Sequence, residues 1–265
     1  MQQKFKIACI GCSYTQGIKL AEHKSYPNIL YDILKKDMPA VEVYNCGIGG
    51  SSSKIHKVMF EWVEQTIKPD LIVYQITNDC RTQIIHDSDI ATAFELDKKS
   101  DNYYTVNISK DKWACLPLYA YLGTVLPKSI GFKNKNEDDQ AIKDFYKKYI
   151  ESKSIMTYEQ FLSMCLYKYH YEPASPVNWL DYVADNDYVF KYCKTKMIPL
   201  FWEKETMVDY DKYMQHNNRP TVDIMCAEDI FTNQNKNIND FALDKQRHLN
   251  TQGNEIVAQW IKGKI

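Results

Sequence analysis

The sequence lacks long apolar runs. No stretch reaches the roughly 18 consecutive apolar residues that a membrane-spanning helix needs, so we expect no membrane span. The N-terminal segment 1–11 has only a short apolar run that leads directly into a Gly-Cys-Ser motif. This pattern predicts a β-strand and not a signal peptide. We therefore expect a cytoplasmic protein.

The sequence also lacks an excess of charge of either sign. It has 33 Lys and Arg residues against 34 Asp and Glu residues, which gives a net charge of -1. A nearly neutral chain gives no electrostatic reason to expect a nucleic acid or an anionic membrane as its main partner. We expect no nucleic-acid-binding function.

The cysteines lack the pattern of a metal site or of a disulfide framework. Cys9 and Cys12 form a Cys-x-x-Cys pair, but no second pair follows to complete a zinc site. A chain of 265 residues with 45% apolar content can bury a core without disulfides. We therefore expect reduced thiols, no metal, no cofactor and a single domain over residues 1–265.

Hydrophobic periodicity predicts alternating strands and helices at both ends of the chain. Such an alternation is typical of a parallel sheet with right-handed crossovers. We therefore predict an α/β fold of the flavodoxin-like three-layer α/β/α type, with a mainly parallel sheet. The predicted strands are 4–10, 41–44, 71–76, 197–202 and 221–224, and the predicted helices are 25–34, 55–63, 183–194 and a last one capped by Asn250 or Thr251.

The alternation stops between about residues 82 and 178. Two amphipathic helices are predicted there, at 141–150 and 158–169, with polar connections between them. We interpret the segment as a mostly helical insertion on the C-terminal side of the sheet, where open α/β folds carry their ligand sites. Ten of the 20 tyrosines lie between Tyr103 and Tyr171. They could form a wall that stacks on sugar rings, or they could simply pack helices.

Four short motifs occupy corresponding places in this pattern. Ser13 follows the first strand, a Gly-rich turn follows the second, Asn78 follows the third, and His248 precedes the last helix. The first three motifs converge by topology, because parallel strands all end at the same edge of a sheet. A serine with a histidine and a carboxylate performs nucleophilic catalysis, and N–H and amide donors stabilise an oxyanion. The pattern therefore indicates an enzyme.

The motifs resemble the four sequence blocks of the SGNH (GDSL-like) hydrolase family, in the same order. The matching segments are Gly11–Gly17 (GCSYTQG), Asn45–Gly50 (NCGIGG), Thr77–Asp79 (TND) and His248–Asn250 (HLN). The resemblance covers about residues 4–80 and 183–265. It implies a single SGNH-like hydrolase domain in which the segment 82–178 is an insertion.

The resemblance also implies roles for individual residues. Ser13 is the expected nucleophile, and His248 is the expected base that later acts as an acid. The N–H groups of Ser13 and Gly50, together with the Asn78 amide, are the expected oxyanion hole. Asp244 is the carboxylate that we expect to orient His248.

The chain departs from the family pattern at three positions. Cys12 stands where the family has an aspartate, and Thr77 stands where it has a glycine. Asp244 lies four residues before His248, where the family usually has three. One additional residue in a loop costs little, so Asp244 stays our choice. Asp240 is the alternative, and a Ser–His dyad without a carboxylate is another.

Other interpretations of the motif residues stay open from the sequence. Cys12 could be the nucleophile, because a thiol beside a helix N-terminus is activated. The Gly-x-Gly-Gly turn could hold a phosphate, although it lacks the Rossmann spacing and no P-loop lysine follows. Asn78 could cap a turn. Five other histidines are interpreted as surface or locally bonded residues, namely His23, His56, His86, His170 and His216.

We expect a serine esterase that acts on a small-molecule or glycan ester. The tyrosine-rich insertion and the absence of a long apolar lid favour a carbohydrate O-acetyl ester. The departures from the family pattern suggest an alternative, a non-catalytic binding module that retains the fold. An acyl- or acetyltransferase that uses the same triad is a second alternative.

Overall fold

The computed structural model describes residues 4–21, 24–77, 84–85, 94–108, 113–114, 147, 176–202, 204, 207–208, 210–211, 225–244 and 247–265. The strands are β1 (Phe5–Gly11), β2 (Val41–Gly47), β3 (Leu71–Ile76), β4 (Ile84–Ile85), β5 (Phe94–Ser100), β6 (Tyr103–Ile108), β7 (Trp113–Ala114), β8 (Lys196–Phe201) and β9 (Met225–Cys226). The helices are α1 (Ser13–Gln16), α2 (Tyr26–Leu34), α3 (Ser53–Trp62), α4 (Pro176–Tyr192), α5 (Ala227–Thr232) and α6 (Thr251–Lys262). A π-helical turn (Val63–Ile67) extends α3, and a 3₁₀ turn spans Ile238–Phe241.

Seven strands form one sheet in the order β5-β6-β2-β1-β3-β8-β9. Neighbouring strands are parallel except for β5, which is antiparallel to β6. The order β2-β1-β3-β8-β9 within this sheet is that of flavodoxin-like doubly wound folds. The predicted α/β fold with a mainly parallel sheet is confirmed.

Helices cover both faces of the sheet, because the central strands are apolar on both sides. Along β1, Ile7 and Cys9 point to a cluster that α2, α5 and α6 complete. Ala8 and Ile10 point to a second cluster, which α3 and α4 complete. These three layers match the predicted arrangement. No helix in the described ranges is both long and apolar enough to cross a membrane.

The segment 82–178 contains strands where sequence analysis predicts no regular alternation. β6 pairs with β2 through residues Tyr103 to Thr105, and β5 forms the outer edge of the sheet. The sequence of β5, FELDKKS, is mostly exposed and charged, which is how natural edge strands avoid further pairing. Because so few of its residues are apolar, hydrophobic periodicity does not predict this strand. The helices predicted at 141–150 and 158–169 lie outside the described residues.

The C-terminal half of the sheet follows the prediction with small shifts. α4 begins at Pro176, earlier than the predicted 183. Pro199 lies on β8 opposite Tyr74 of β3, while β9 pairs only with Leu200 and Phe201. Pro199 therefore does not lie between two full-length neighbours, which agrees with its missing N–H. The strand predicted at 221–224 lies outside the described residues. β9 begins at the next residue, Met225.

A buried asparagine joins the two ends of the chain. Asn254 of α6 accepts a hydrogen bond from the backbone N–H of Tyr26, at the start of α2, at 2.9 Å. Its amide donates to the carbonyls of Leu249 and Asn250, both at 3.0 Å. The segment that carries His248 is thereby attached to the helix that follows the Ser13 loop.

Replacing Asn254 with alanine should lower the free energy of unfolding by about 1–3 kcal/mol, because a buried N–H loses its acceptor. Urea unfolding followed by circular dichroism measures this loss. The control is Asn233→Ala at an exposed site after α5, which we expect to change stability by less than about 0.5 kcal/mol. Equal unfolding free energies for the two variants would contradict the role of Asn254.

Candidate active site

Two glycines let the chain turn sharply after β1 and bring Ser13 to the sheet edge. Gly11 and Gly47 are opposite each other at the ends of β1 and β2. A Cβ on Gly47 would lie 2.1 Å from the backbone nitrogen of Gln16, and one on Gly11 would lie 2.0 Å from Thr15 Oγ1. Only glycine permits this close approach of α1 to the strand ends.

The turn is also held by a buried glutamine of the neighbouring strand. Gln75 of β3 accepts a hydrogen bond from the backbone N–H of Cys12 at 2.8 Å. Helix α1 begins at Ser13, and the first N–H groups of a helix have no acceptor within it. The N–H of Ser13 is therefore free of the helix ladder, as an oxyanion donor must be.

Ser13, His248 and Asp244 form a continuous chain of hydrogen bonds. The Ser13 Oγ lies 2.9 Å from His248 Nε2. On the other side of the ring, His248 Nδ1 lies 2.8 Å from Asp244 Oδ2. Ser13 and His248 are separated by 235 positions in the chain and meet because α6 packs beside α2. This geometry allows Nε2 to accept the serine proton while the carboxylate holds the ring.

The loop before α6 accommodates the four-residue spacing between Asp244 and His248. Its ends are joined by an isolated antiparallel bridge between Ala242 and Leu249. Within it, Arg247 adopts a left-handed backbone conformation with φ 59°, and its N–H donates to the Asp244 carbonyl at 3.0 Å. The additional residue is thus absorbed in a tight turn, and Asp244 still reaches His248.

Aromatic side chains fix the position of the His248 ring. Tyr14, directly after Ser13, has its ring centroid 4.9 Å from that of His248. On its other side, Tyr14 stacks on Trp202, just after β8, with a centroid distance of 4.4 Å. Trp202 in turn donates its indole N–H to the carbonyl of Arg247 at 3.4 Å. The stack therefore connects α1, β8 and the histidine loop.

The Asp244 carboxyl is ionised in this environment. Partial burial alone raises its pKa, but hydrogen bonds from Lys19 and His248 outweigh burial and hold the pKa well below its usual range. A permanently charged carboxylate keeps the proton of His248 on Nδ1. Nε2 is then the ring nitrogen that is open to Ser13.

The Gly50 turn is tied to the strand end that leads into Ser13. The carbonyl of Gly11 accepts hydrogen bonds from the N–H of Ile48 at 2.9 Å and from Ser51 Oγ at 3.3 Å. The Ser51 hydroxyl also lies 2.7 Å from Nε2 of buried His56. Gly50 has φ 77°, a conformation that favours glycine. Asn78, the predicted third oxyanion donor, lies outside the described residues.

The alternatives from the sequence are placed differently. Asp240 is exposed in the 3₁₀ turn and has no hydrogen bond to His248, whereas Asp244 has two. Cys12 is fully buried in the core cluster, and its Sγ lies 4.0 Å from Ser13 Oγ. Cys9 is a free thiol like Cys12. The described part of the chain contains no group of three potential metal-ligating side chains.

Several residues of the site escape sequence analysis. Gln75 and Trp202 lie near the C-terminal ends of apolar strands. Their positions follow the same alternation as the core residues of those strands, so nothing in the sequence separates them from the core. Tyr14 is part of a recognised motif, but its stacking partner is far away in sequence. Lys19 lies in a polar loop without a motif. His56, which sequence analysis interprets as a surface or locally bonded histidine, is buried and bonded to Ser51 beside the Gly50 turn.

Comparisons with solved structures find hydrolases. A G-D-S-L family protein described as lipolytic, from Desulfitobacterium hafniense, matches at 10% identity over 99% of this chain and 100% of its own, with a TM-score of 0.40. A catalytic mutant of an acetylxylan esterase from Geobacillus stearothermophilus matches at 14% identity over 100% and 96%, with a TM-score of 0.44. An esterase of the SGNH-hydrolase family matches at 14% identity over 82% and 96%, with a TM-score of 0.24.

No protein-family model and no curated protein matches the chain. The resemblance to SGNH (GDSL-like) hydrolases that the motifs predict is also the one that the comparison with solved structures finds. The fold class itself is given by the strand order, the register and the three layers described above.

Replacing Gly47 with alanine should lower the free energy of unfolding by about 3 kcal/mol, because the new methyl group would overlap the backbone of α1. The matched control is Gly263→Ala, after α6, where a Cβ would have no atom closer than 3.4 Å. Its stability should be unchanged or slightly higher. Chemical unfolding measures both. A Gly47 variant as stable as the control would contradict the close approach of α1 to β2.

Proposed function

We propose that the protein is a serine ester hydrolase. The observation that carries the proposal is the chain of hydrogen bonds from Ser13 through His248 to Asp244, at the edge where parallel strands end. Two short contacts on opposite sides of one imidazole are the arrangement that makes a serine nucleophilic. The family resemblance of the four motifs supports the same reaction.

In the proposed reaction, Ser13 Oγ attacks the carbonyl carbon of the ester while His248 Nε2 takes the hydroxyl proton. Asp244 stabilises the imidazolium that forms. The N–H groups of Ser13 and Gly50 and the Asn78 amide donate hydrogen bonds to the oxyanion. The imidazolium then gives its proton to the leaving alcohol, which leaves an acyl group on Ser13. A water molecule, activated by His248, releases the acid and restores the serine.

We further propose that the ester is an O-acetyl group on a carbohydrate. The tyrosine-rich segment supports this assignment, although Tyr103 is buried and Tyr104 stacks on Tyr44 at 4.7 Å. A sugar platform would therefore use tyrosines outside the described residues. Comparison of kcat/KM for an acetylated oligosaccharide and for a long-chain p-nitrophenyl ester tests the assignment. Acetyl transfer to an added sugar would instead indicate a transferase.

We propose a cytoplasmic location for this activity. In the described ranges Cys9, Cys12, Cys46, Cys193 and Cys226 are free thiols. Burial raises the pKa of the Cys193 and Cys226 thiols to about 11, which keeps both protonated and unreactive at neutral pH. Free thiols are typical of a reducing compartment.

Apart from the ester and the water molecule, the proposed mechanism uses only side chains and backbone groups of the chain.

The variant Ser13→Ala should lose the hydrolysis of p-nitrophenyl acetate, because Ser13 Oγ is the one hydroxyl among the described residues that is bonded to His248 Nε2. Its circular dichroism spectrum and unfolding midpoint should stay close to those of the wild type. Cys12→Ala serves as the control for the neighbouring thiol and should keep most of the activity. Loss of activity in Cys12→Ala alone would transfer the nucleophile to Cys12, and full activity in Ser13→Ala would refute the mechanism.

The variant Asp244→Asn should lower kcat by up to about 10⁴-fold, because an amide no longer selects the productive tautomer of His248. Asp240→Asn, measured on the same ester, is the matched control and should retain activity close to that of the wild type. A severe loss confined to Asp240→Asn would show that the orienting carboxylate is Asp240. Rates close to those of the wild type in both variants would indicate a Ser13–His248 dyad.

A further inference from the structure

Lys19 contacts the same carboxylate oxygen as the candidate base. Its Nζ lies 2.5 Å from Asp244 Oδ2, the atom that also lies 2.8 Å from His248 Nδ1. The other oxygen, Oδ1, accepts a hydrogen bond from the backbone N–H of His248 at 3.2 Å. The carboxylate is therefore held by His248 from one side and by a cation from the other.

Lys19 has a left-handed backbone conformation. Its φ is 67°, and that of Arg247 is 59°; two other non-glycine residues of the described ranges, both away from the site, share this conformation. Glycine is the ordinary residue in this region, because a side chain there is strained. Both strained residues flank one contact, the one between Asp244 and His248. Strain at such a place points to a function of the side chain that is kept there.

Stability does not explain the presence of Lys19. Its side chain is 54% exposed, and ion pairs at such positions contribute little to folding. The pair between Lys35 and Asp32 has the same 2.5 Å separation, and its lysine is similarly exposed. The two pairs differ at the carboxylate, because Asp244 is less exposed than Asp32 and also binds an imidazole.

We propose that Lys19 is a positioning residue, which fixes the Asp244 carboxylate toward His248. The proposal rests on the proposed roles of Ser13 and His248. Lys19, delivered by the loop that follows α1, gives the carboxylate a second anchor at Oδ2, so the oxygen that contacts His248 Nδ1 is held from two elements of the chain.

The first experiment measures kcat and KM of Lys19→Met at neutral pH. We expect kcat to fall by about 3- to 10-fold with little change in KM, because a positioning residue does not touch the substrate. Lys19→Arg, which keeps a cationic donor at this position, should restore most of kcat.

Two further variants separate positioning from structure. Lys19→Gly relieves the left-handed conformation, so the unfolding midpoint should hold or rise while the rate falls as in Lys19→Met. In an Asp244→Asn background, Lys19→Met should change the rate of fluorophosphonate labelling by less than about 2-fold, because its partner is gone. Lys35→Met is the matched control for an exposed ion pair and should leave kcat and KM unchanged.

A Lys19→Met enzyme with the kcat of the wild type would overturn the proposal. An equal loss in the Asp244→Asn background would overturn it as well, because Lys19 would then act on the substrate directly. Both results, combined with an inactive Ser13→Ala enzyme, leave the proposed function intact. Full activity in Ser13→Ala would overturn the proposed function and the role of Lys19 together.

Discussion

The close approach of α1 to the ends of β1 and β2 is the constraint on which the rest of the site depends. Gly11 and Gly47 leave no room for a Cβ, so the chain can reverse within two residues and present Ser13 at the sheet edge. The carbonyl of Gly11 also anchors the Gly50 turn through Ile48 and Ser51. The candidate nucleophile and a candidate oxyanion donor are therefore positioned by the same strand end.

The second constraint is that the two ends of the chain must meet. Parallel strand order brings β1 to the middle of the sheet, and α6 packs next to α2 on one face. Asn254 of α6 connects these helices, because it is hydrogen-bonded both to the backbone of Tyr26 in α2 and to that of Leu249 before α6. His248 lies three residues before the start of α6, so its position follows from helix packing. The Tyr14–Trp202 stack then sets the orientation of its ring.

The sequence was sufficient to predict the central fold and the convergence of Ser13 with the Gly50 turn, because both follow from apolar periodicity and parallel topology. It could not predict β5, whose charged edge residues hide its strand character. It favoured Asp244 over Asp240, but it could not predict how the loop accommodates the four-residue spacing to His248, since that depends on one left-handed residue, Arg247. The contacts of Gln75, Trp202 and Lys19 are long-range and leave no local pattern in the chain.

The departures from the family pattern bear on the choice between an enzyme and a non-catalytic module. Cys12 lies in the core cluster, while its backbone N–H is bound by Gln75, so the turn keeps its geometry without the usual aspartate. Thr77 is buried, and its carbonyl accepts the Tyr182 hydroxyl at 3.0 Å. These two changes lie in the supporting core.

The third departure, the spacing of Asp244, leaves both hydrogen bonds of the His248 ring intact. The three departures from the family pattern therefore give no reason to prefer a non-catalytic module to an enzyme.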